Sequence, residues 1–495
     1  MPGAPGTSPR VRTAGGRQAV AGSAYGSCAS GGGNAGPVVT WKPAGGTPAR
    51  AHAGHEGTAR ERAERGGASR RQSAREPAAR TYARALPVVP VRARGLTIEA
   101  ADGRRYLDCV SGAGTLALGH NHPVVLEAIR TVLDSGAPLH VMDLTTPVED
   151  AFVSELLRTL PPGLADRARV RFCGPAGADP VAAAVALVRA ATGRTRVTTL
   201  ADAHEPGFDD GEPGQAPPAG LLLEPVRSDA GVLPAPDALV RRLRARAAER
   251  AVPLIVDETE TGVGRTGAYW AFEHSGVTPD VLILAKAIGG SLPLAVLVHR
   301  DDLDDPNPPG EPAAGAFRGN QLALAAGAAT LAHVREHRLA EHAAALGGRM
   351  LTGLRDLAEE FACVGDVRGR GLMAGLELVA PDGASDSPAH GPRPGAARSG
   401  TARSGTEGSG TARSGGARFG AAAELAVAVR RECLRRGLIV DVTGPHANVV
   451  RLLPPLIVTE EQMSAVLDRL ADAVRAVDRD RPGGAAPLPG ERAPR

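Results

Sequence analysis

The sequence predicts an α/β fold built on a mainly parallel sheet, with a second, smaller α+β domain. Between residues 169 and 337, short apolar runs alternate with longer stretches rich in Ala, Leu and Arg. Such runs are typical of strands buried on both faces, and the stretches between them have the length of helices. Two of the runs end in a charged residue, Asp257 and Lys286. Because ligands of open parallel sheets bind at the carboxyl ends of the strands, these two residues mark the expected site.

The predicted elements of the larger domain follow one another in regular alternation. Pro180 stands near the start of the first predicted helix, where a proline is tolerated because its missing N–H has no helical partner. The predicted strands are 169–174, 220–226, 252–258 and 280–286, and the predicted helices are 179–192, 235–251 and 320–337.

The smaller domain is predicted from a change of pattern after about residue 336. The segment 364–379 is β-like and punctuated by glycine, and 421–437 has a helical pattern. Strands at 438–442 and in 449–459 then lead into a last helix. Near the other end of the chain, 96–110 is typical of a hairpin that could join the same lobe.

Three segments are predicted to be disordered, because their composition cannot bury enough apolar surface to offset the entropy of ordering. They are 1–74, an insertion at 381–420 with repeated "TARSG" motifs, and the tail 479–495. The rest divides into 75–115, the N-terminal part of the small domain, 116–335, the large domain, and 336–478, the C-terminal part of the small domain.

Charge and cysteine content argue against several classes of protein. The formal net charge is only +3, and the Arg-rich N-terminal segment has no interleaved aromatic residues, so we interpret it as a solvated extension rather than a nucleic-acid arm. The five cysteines are scattered and never spaced as CxxC, which argues against a disulfide framework or a zinc site. No apolar run reaches the roughly 18 residues of a membrane span, and the N-terminus lacks the apolar core of a secretion signal. We expect a cytoplasmic protein without a metal site.

Lysine is almost absent from the sequence. Of 57 basic residues only Lys42 and Lys286 are lysines, so arginine serves nearly everywhere that a positive charge is solvated. Arginine cannot replace a lysine whose amine must lose its proton and attack a carbonyl, because the guanidinium stays charged above about pH 12. A strand-end lysine together with a strand-end aspartate therefore suggests a Schiff-base lysine, Lys286, and a partner for a pyridinium nitrogen, Asp257. Pyridoxal phosphate is the cofactor that uses both.

Two nucleotide-binding alternatives are weaker. A P-loop needs Gly-Lys followed by Ser or Thr, but the two lysines are followed by Pro43 and Ala287, so a P-loop is excluded. The segment "GVGRTG" (262–267) matches GxGxxG, yet four residues separate it from the preceding strand and only a weak helix start follows it. A dinucleotide site is therefore not favoured.

The residues around Lys286 resemble those of a known family. The segment "LIVDETETGVGRTGAYWAFEHSGVTPDVLILAKAIGGSLPLAV" is similar to class III (omega) aminotransferases over its whole length. The motifs "KAIGGSLPLAV", "FRGNQLALAAG" (317–327), "GAGTLALGHNHP" (112–123) and "LLPPL" (452–456) look most like those of diaminobutyrate–2-oxoglutarate aminotransferases. That group makes 2,4-diaminobutyrate from aspartate semialdehyde, with glutamate as the amino donor, in ectoine, siderophore or antibiotic routes. The resemblance covers about 75–478 without 381–420.

The resemblance implies a fold type I pyridoxal-phosphate-dependent transferase that forms a homodimer with active sites at the subunit interface. In such a protein Lys286 forms the Schiff base and then moves a proton during the reaction. Asp257 holds the nitrogen of the cofactor ring by a charge-assisted bond. Arg370, in "RGRGL", binds a substrate carboxylate in the bidentate manner that guanidinium prefers.

Further cofactor contacts are implied by the same resemblance. Gly177 and Ala178 open a helix and bind the cofactor phosphate through backbone N–H groups at its positive end. Phe317 and Arg318 reach the phosphate of the other subunit. His204 takes the place of the aromatic residue that stacks on the cofactor ring.

The sequence departs from the family pattern at several positions in this region. The connection 201–220 is much shorter than is usual in the family, and Glu260 replaces the glutamine that bonds the ring hydroxyl. The remaining departures are Ala178 for a threonine or serine, Ala182 for a glutamate, Ala316 for a threonine, and Arg227 and Asp229 for a glutamine and a glutamate.

These departures leave two alternatives beside an aminotransferase. One is a protein with the aminotransferase fold whose catalysis is impaired or lost, because each missing hydroxyl-to-phosphate bond weakens cofactor binding by roughly 1.5–3 kcal/mol. The other is a racemase or aminomutase of the same class, which uses the same cofactor without releasing a keto acid.

Overall fold

The computed structural model describes residues 86–141, 144–174, 178–200, 216–304, 319–380 and 420–480, all within the unit Thr58–Arg495. The predicted disordered segments 1–74, 381–420 and 479–495 lie almost wholly outside these residues. Among the described residues, no helix combines the length and the apolar character needed to cross a membrane.

The strands, numbered along the chain, fall into a central sheet and smaller sheets around it. They are β1 (Pro90–Arg94), β2 (Thr97–Ala100), β3 (Arg105–Asp108), β4 (Ala168–Cys173), β5 (Val197–Thr199), β6 (Gly220–Leu223), β7 (Val226–Arg227), β8 (Leu233–Pro234), β9 (Leu254–Asp257), β10 (Val281–Leu284), β11 (Ala295–Arg300), β12 (Val364–Arg370), β13 (Met373–Ala380), β14 (Gly420–Ala421), β15 (Leu438–Ile439), β16 (Asp441–Thr443) and β17 (Val449–Leu452).

The helices connect these strands and cover the sheets. They are α1 (Pro123–Asp134), α2 (Pro147–Arg158), α3 (Pro162–Ala165), α4 (Ala178–Thr192), α5 (Asp237–Glu249), α6 (Gln321–Glu336), α7 (Leu339–Glu360), α8 (Ala423–Arg435) and α9 (Glu460–Arg479), with short 3₁₀ turns at Ala271–Ser275, Lys286–Gly289 and Asp301–Leu303.

The central sheet has six strands in the order β4-β11-β10-β9-β6-β5. Strands β5, β6, β9 and β10 pair in parallel, whereas β11 runs antiparallel to both of its neighbours. The apolar residues of β9 and β10 are at most 1% exposed, as expected for strands covered on both faces. The mainly parallel sheet predicted from the sequence is confirmed.

Two predicted strands are each divided in the structure. The run 220–226 breaks into β6 and β7 at Glu224-Pro225, because a proline has no N–H to donate to a sheet. The run 438–442 breaks at Val440, because β15 pairs with β3 while β16 pairs with β17. The second break lets one short segment hold two sheets together.

The smaller sheets bring the N-terminal and C-terminal parts of the described residues together. The hairpin predicted at 96–110 is present as β2 and β3, and β1 extends it. Strand β3 pairs in parallel with β15, which joins the N-terminal hairpin to the C-terminal part of the chain. A second sheet, in the order β12-β13-β17-β16, completes this part, and β14 pairs with β13.

The loop between β9 and β10 is organised by a buried acid. The Glu258 carboxyl accepts hydrogen bonds from the Phe272 N–H at 2.9 Å and from the Thr261 hydroxyl at 2.5 Å. In the same loop, a Cβ at Gly262 would lie 2.7 Å from the Trp270 ring, so this glycine allows the ring to pack closely. The "GVGRTG" match thus serves the packing of a loop, and the element that follows it is a 3₁₀ turn rather than a dinucleotide-binding helix.

The turn Lys286–Gly289 packs closely against helix α6. A Cβ added at Gly327 would collide with the backbone oxygen of Ile288 and lie 2.9 Å from the Phe152 ring. Gly327 therefore lets the helix support the segment that carries Lys286. Gly348, on α7, has no atom within 4 Å of the corresponding position.

These two glycines give a matched pair of stability tests. Gly327→Ala is expected to lower the free energy of unfolding by about 1–3 kcal/mol, because the helix or the turn must move. Gly348→Ala is expected to raise it by up to about 1 kcal/mol, because alanine favours an open helical position. Urea unfolding of both variants measures the difference. Equal stability of Gly327→Ala and the wild type would contradict the packing described.

Glu258 predicts a specific pH dependence of stability. Burial raises the pKa of its carboxyl from 4.5 to about 7, so the folded protein keeps a proton that the unfolded chain loses in this range. The stability that this proton contributes is present at pH 4.5 and is lost as the pH rises through about 7. Relative to Glu258→Gln, the wild type should lose up to about 3 kcal/mol across this window, measured by urea unfolding at several pH values. Parallel stability curves would contradict the assignment.

Candidate active site

The two residues singled out at strand ends lie on adjacent parallel strands. Asp257 ends β9 and pairs in register with Ile283 of β10, and Lys286 begins the turn that follows β10. Lys286 has φ +53°, in the left-handed region that non-glycine residues rarely adopt. Unusual backbone of this kind is frequent at functional sites, where the surrounding structure maintains it. The placement expected from the sequence is confirmed by the fold.

The amine of Lys286 lies against Glu260. Its Nζ donates a hydrogen bond to Glu260 Oε1, and the two side chains are 28% and 18% exposed. The Lys286 side chain is thus only partly buried.

Arg451 of β17 lies on the other side of Glu260. Its side chain is 6% exposed, and its Nη1 lies 3.5 Å from Glu260 Oε2. The other groups around its guanidinium are Ser228 Oγ at 2.6 Å, Asp441 Oδ2 at 2.7 Å and Asp229 Oδ1 at 3.4 Å. Asp441 faces Arg451 directly across the β16–β17 pair, so the sheet register fixes this contact.

Burial and neighbouring charges shift the pKa values of the carboxyl groups in this region in different directions. Burial raises the pKa of Asp257, and the Thr259 N–H at 2.9 Å and the charge of Lys286 offset only part of that rise. Burial and nearby Asp257 also raise the pKa of Glu224. For Glu260, burial acts in the same direction but is outweighed by Lys286, Ser228 and Arg451, so its pKa is lowered. Glu260 is therefore the carboxylate that is held in its charged form.

The structure brings together only part of the predicted site. Asp257, Glu260 and Lys286 meet at the carboxyl end of the central sheet. Arg370 instead donates from Nη2 to Asp237 Oδ1 at 2.9 Å and to the Ala235 oxygen at 3.4 Å. Substrate binding by Arg370 therefore remains a prediction.

Most of the residues that are predicted to contact the cofactor phosphate or ring lie outside the described residues. Ala178 begins helix α4, in agreement with its predicted position at a helix start. The other residues predicted to contact the phosphate or the ring lie outside the described residues; they are Gly177, His204, Phe317 and Arg318.

Sequence reasoning missed Arg451 and Ser228. The signal for Arg451 was present, because an arginine inside the apolar run "VVRLLPPL" needs a carboxylate partner once it is buried. Nothing in the sequence shows which carboxylate that is, since Glu260 lies 191 positions away.

The described residues fit pyridoxal phosphate at the point where its ring and aldehyde would bind. The amine of the partly buried Lys286 stands near a strand-end carboxylate, Asp257, whose pKa is raised by burial more than it is lowered by Lys286. Arg451 Nε, on the other side of Glu260, is buried without a hydrogen-bond partner among the described residues. Lys286 would hold the aldehyde carbon, and Asp257 the ring nitrogen.

Comparison with known proteins identifies the family of this chain. The family described as "Aminotransferase class-III" matches residues 78–205 and 214–474. A diaminobutyrate–2-oxoglutarate aminotransferase of Rhizobium meliloti is 38% identical over 442 residues, covering 78% of this chain and 88% of the relative. The protein of the same name from Haemophilus influenzae is 33% identical, with 77% and 89% covered.

Solved structures show the same fold. An N-acetylornithine aminotransferase from Stenotrophomonas maltophilia has a TM-score of 0.63 and 25% identity, covering 82% of this chain and all of that one. An ornithine δ-aminotransferase from Plasmodium falciparum has a TM-score of 0.66, with 83% of this chain and all of that one covered. Because the identity to the second structure is only 22%, this similarity supports the fold alone. With the lysine, the aspartate and the fold in place, the chain belongs to the class III aminotransferases, which are pyridoxal-phosphate-dependent enzymes.

Proposed function

We propose that this enzyme transfers an amino group between glutamate or 2-oxoglutarate and a substrate with a terminal amine, L-2,4-diaminobutyrate or aspartate 4-semialdehyde. The observation that carries the proposal is the Lys286 amine, half-buried at the carboxyl end of the central sheet beside Asp257. The choice of substrate is supported by the names of four relatives that are 30–38% identical to this chain. Because these relatives are aminotransferases, they favour transamination over the racemase and non-catalytic alternatives.

The roles of the two strand-end residues follow from their chemistry. Bound pyridoxal phosphate withdraws electrons from the carbon that carries the substrate amine, which makes a proton on that carbon acidic. Lys286 would take this proton on Nζ and return it to C4′ of the cofactor, which an amine can do near neutral pH and a guanidinium cannot. Asp257 would keep the ring nitrogen protonated, because a buried carboxylate is stabilised when it gains a cationic partner.

The remaining contacts of the proposal rest on the resemblance. We infer that Gly177 and Ala178 bind the cofactor phosphate and that His204 lies against its ring. Arg370 would bind a substrate carboxylate in exchange for Asp237, which now occupies its guanidinium. The proposal includes a homodimer in which Phe317 and Arg318 reach the phosphate of the other subunit, and a cytoplasmic location.

The two lysines allow a direct test of the role of Lys286. Wild-type protein mixed with pyridoxal phosphate should gain visible absorbance, and reduction with borohydride should add the mass of the cofactor to the peptide that contains Lys286. Lys286→Ala should lose that adduct, and Lys42→Ala should keep it. A colourless wild type, or an adduct that persists in Lys286→Ala, would contradict the proposal.

The choice of substrate is tested by following the nitrogen of the substrate's terminal amine with an isotopic label. With L-2,4-diaminobutyrate labelled by ¹⁵N at the terminal amine, the label should appear in glutamate when 2-oxoglutarate is present. The value of kcat/KM should exceed that for ornithine by about tenfold or more, the discrimination that one methylene group allows. Label that stays in the substrate while the substrate racemises or rearranges would favour the racemase or aminomutase. Cofactor binding without any reaction would favour the non-catalytic protein.

A further inference from the structure

The contact between Lys286 and Glu260 joins an amine that must react to a carboxylate of opposite charge. A lysine attacks an aldehyde only as the neutral amine, whereas a carboxylate at hydrogen-bond distance stabilises the ammonium. The protonation state of Glu260 therefore decides how readily Lys286 can react.

Glu260 is fixed in place from its other side. While Oε1 accepts from Lys286, Oε2 faces Arg451 at 3.5 Å. Arg451 cannot turn away easily, because Asp441 and Ser228 hold its two terminal nitrogens at 2.7 and 2.6 Å. The carboxylate thus lies between an amine and an anchored guanidinium, and both favour its charged form.

We propose that Glu260 is an anionic clamp that holds Lys286 as an ammonium in the cofactor-free protein, so that loading of the cofactor requires loss of a proton from this ion pair. Arg451, anchored in β17, is the positioning residue that presents Glu260 to Lys286. Loading would require the Lys286 ammonium to give one proton to solvent; the freed lone pair on Nζ would then form the C=N bond to the aldehyde carbon, whose oxygen would leave as water with the two remaining amine protons. The inference rests on the proposed function only for this last step; the clamp itself is a property of the cofactor-free chain.

The scarcity of lysine makes the clamp measurable. In a Lys42→Arg background, Lys286 is the one lysine of the sequence. Its reaction with acetic anhydride, followed by mass spectrometry of the peptide that contains it, reports the fraction of neutral amine at each pH. No cofactor and no catalysis are needed.

Glu260→Gln should raise the acetylation rate of Lys286 at pH 7 by about tenfold or more, the factor that loss of one charge-assisted hydrogen bond implies. Glu260→Asp keeps the charge but draws it back by one methylene, so its rate should lie between those of Glu260→Gln and the parent. The matched control is Glu224→Gln, which removes a nearby carboxylate whose charged neighbours include Asp257 and Glu260. This control should leave the rate within about twofold of the parent.

Three results would overturn the clamp: an unchanged rate in Glu260→Gln, an equal rise in Glu224→Gln, or a Glu260→Asp rate equal to that of Glu260→Gln. Circular dichroism and urea unfolding of each variant establish that the acetylation rates compared are those of folded proteins. The Asp variant keeps the test valid if the Gln variant does not fold.

The rate of cofactor loading gives a second measurement of the clamp. At pH 7, Glu260→Gln should acquire visible absorbance with pyridoxal phosphate faster than the parent, and the two rates should converge as the pH is raised. Equal rates at pH 7 would overturn the proposed effect on loading. If no variant acquires absorbance, the proposed function fails, whereas the acetylation result still decides whether the clamp exists.

Discussion

The parallel pairing of β9 with β10 is the constraint on which the rest of the structure depends. Both strands are buried, so their register cannot slip without exposing apolar side chains or breaking ladder hydrogen bonds. That register brings Asp257 level with Ile283, three residues before Lys286. The loop between the strands is held by Glu258, and the turn after β10 is supported by helix α6. Two chemically different side chains, Asp257 and Lys286, thus owe their proximity to the pairing of two buried strands.

Much of this could be predicted from the sequence, because it depends on local pattern. Apolar runs predict β4, β6, β9 and β10, and the rule that ligands bind at the carboxyl ends of parallel strands predicts that Asp257 and Lys286 lie close together. Even the hairpin β2–β3 followed from its sequence. The breaks at Pro225 and Val440 were missed because an apolar run does not show which sheet will pair with each half of it.

The surroundings of Glu260 could not be predicted, because they depend on contacts between distant parts of the chain. Arg451 reaches the site from the C-terminal sheet, and Asp441 fixes it through a cross-strand pair that the undivided run 438–442 did not suggest. Arg370 is a second residue whose contact depends on distant parts of the chain. The family resemblance implied a substrate contact for Arg370, and the sequence does not show that its partner in the structure is Asp237, 133 positions away.

The near absence of lysine has a consequence for chemical selectivity. Aldehydes such as pyridoxal phosphate react with any accessible ε-amine, and proteins with many surface lysines collect such adducts at random. Here the solvated positive charges of the folded part are guanidinium groups, which do not become nucleophilic near neutral pH. Lys286 is the single lysine among the described residues, so an aldehyde that reaches this part of the chain meets one ε-amine. The composition itself directs the electrophile to the end of β10.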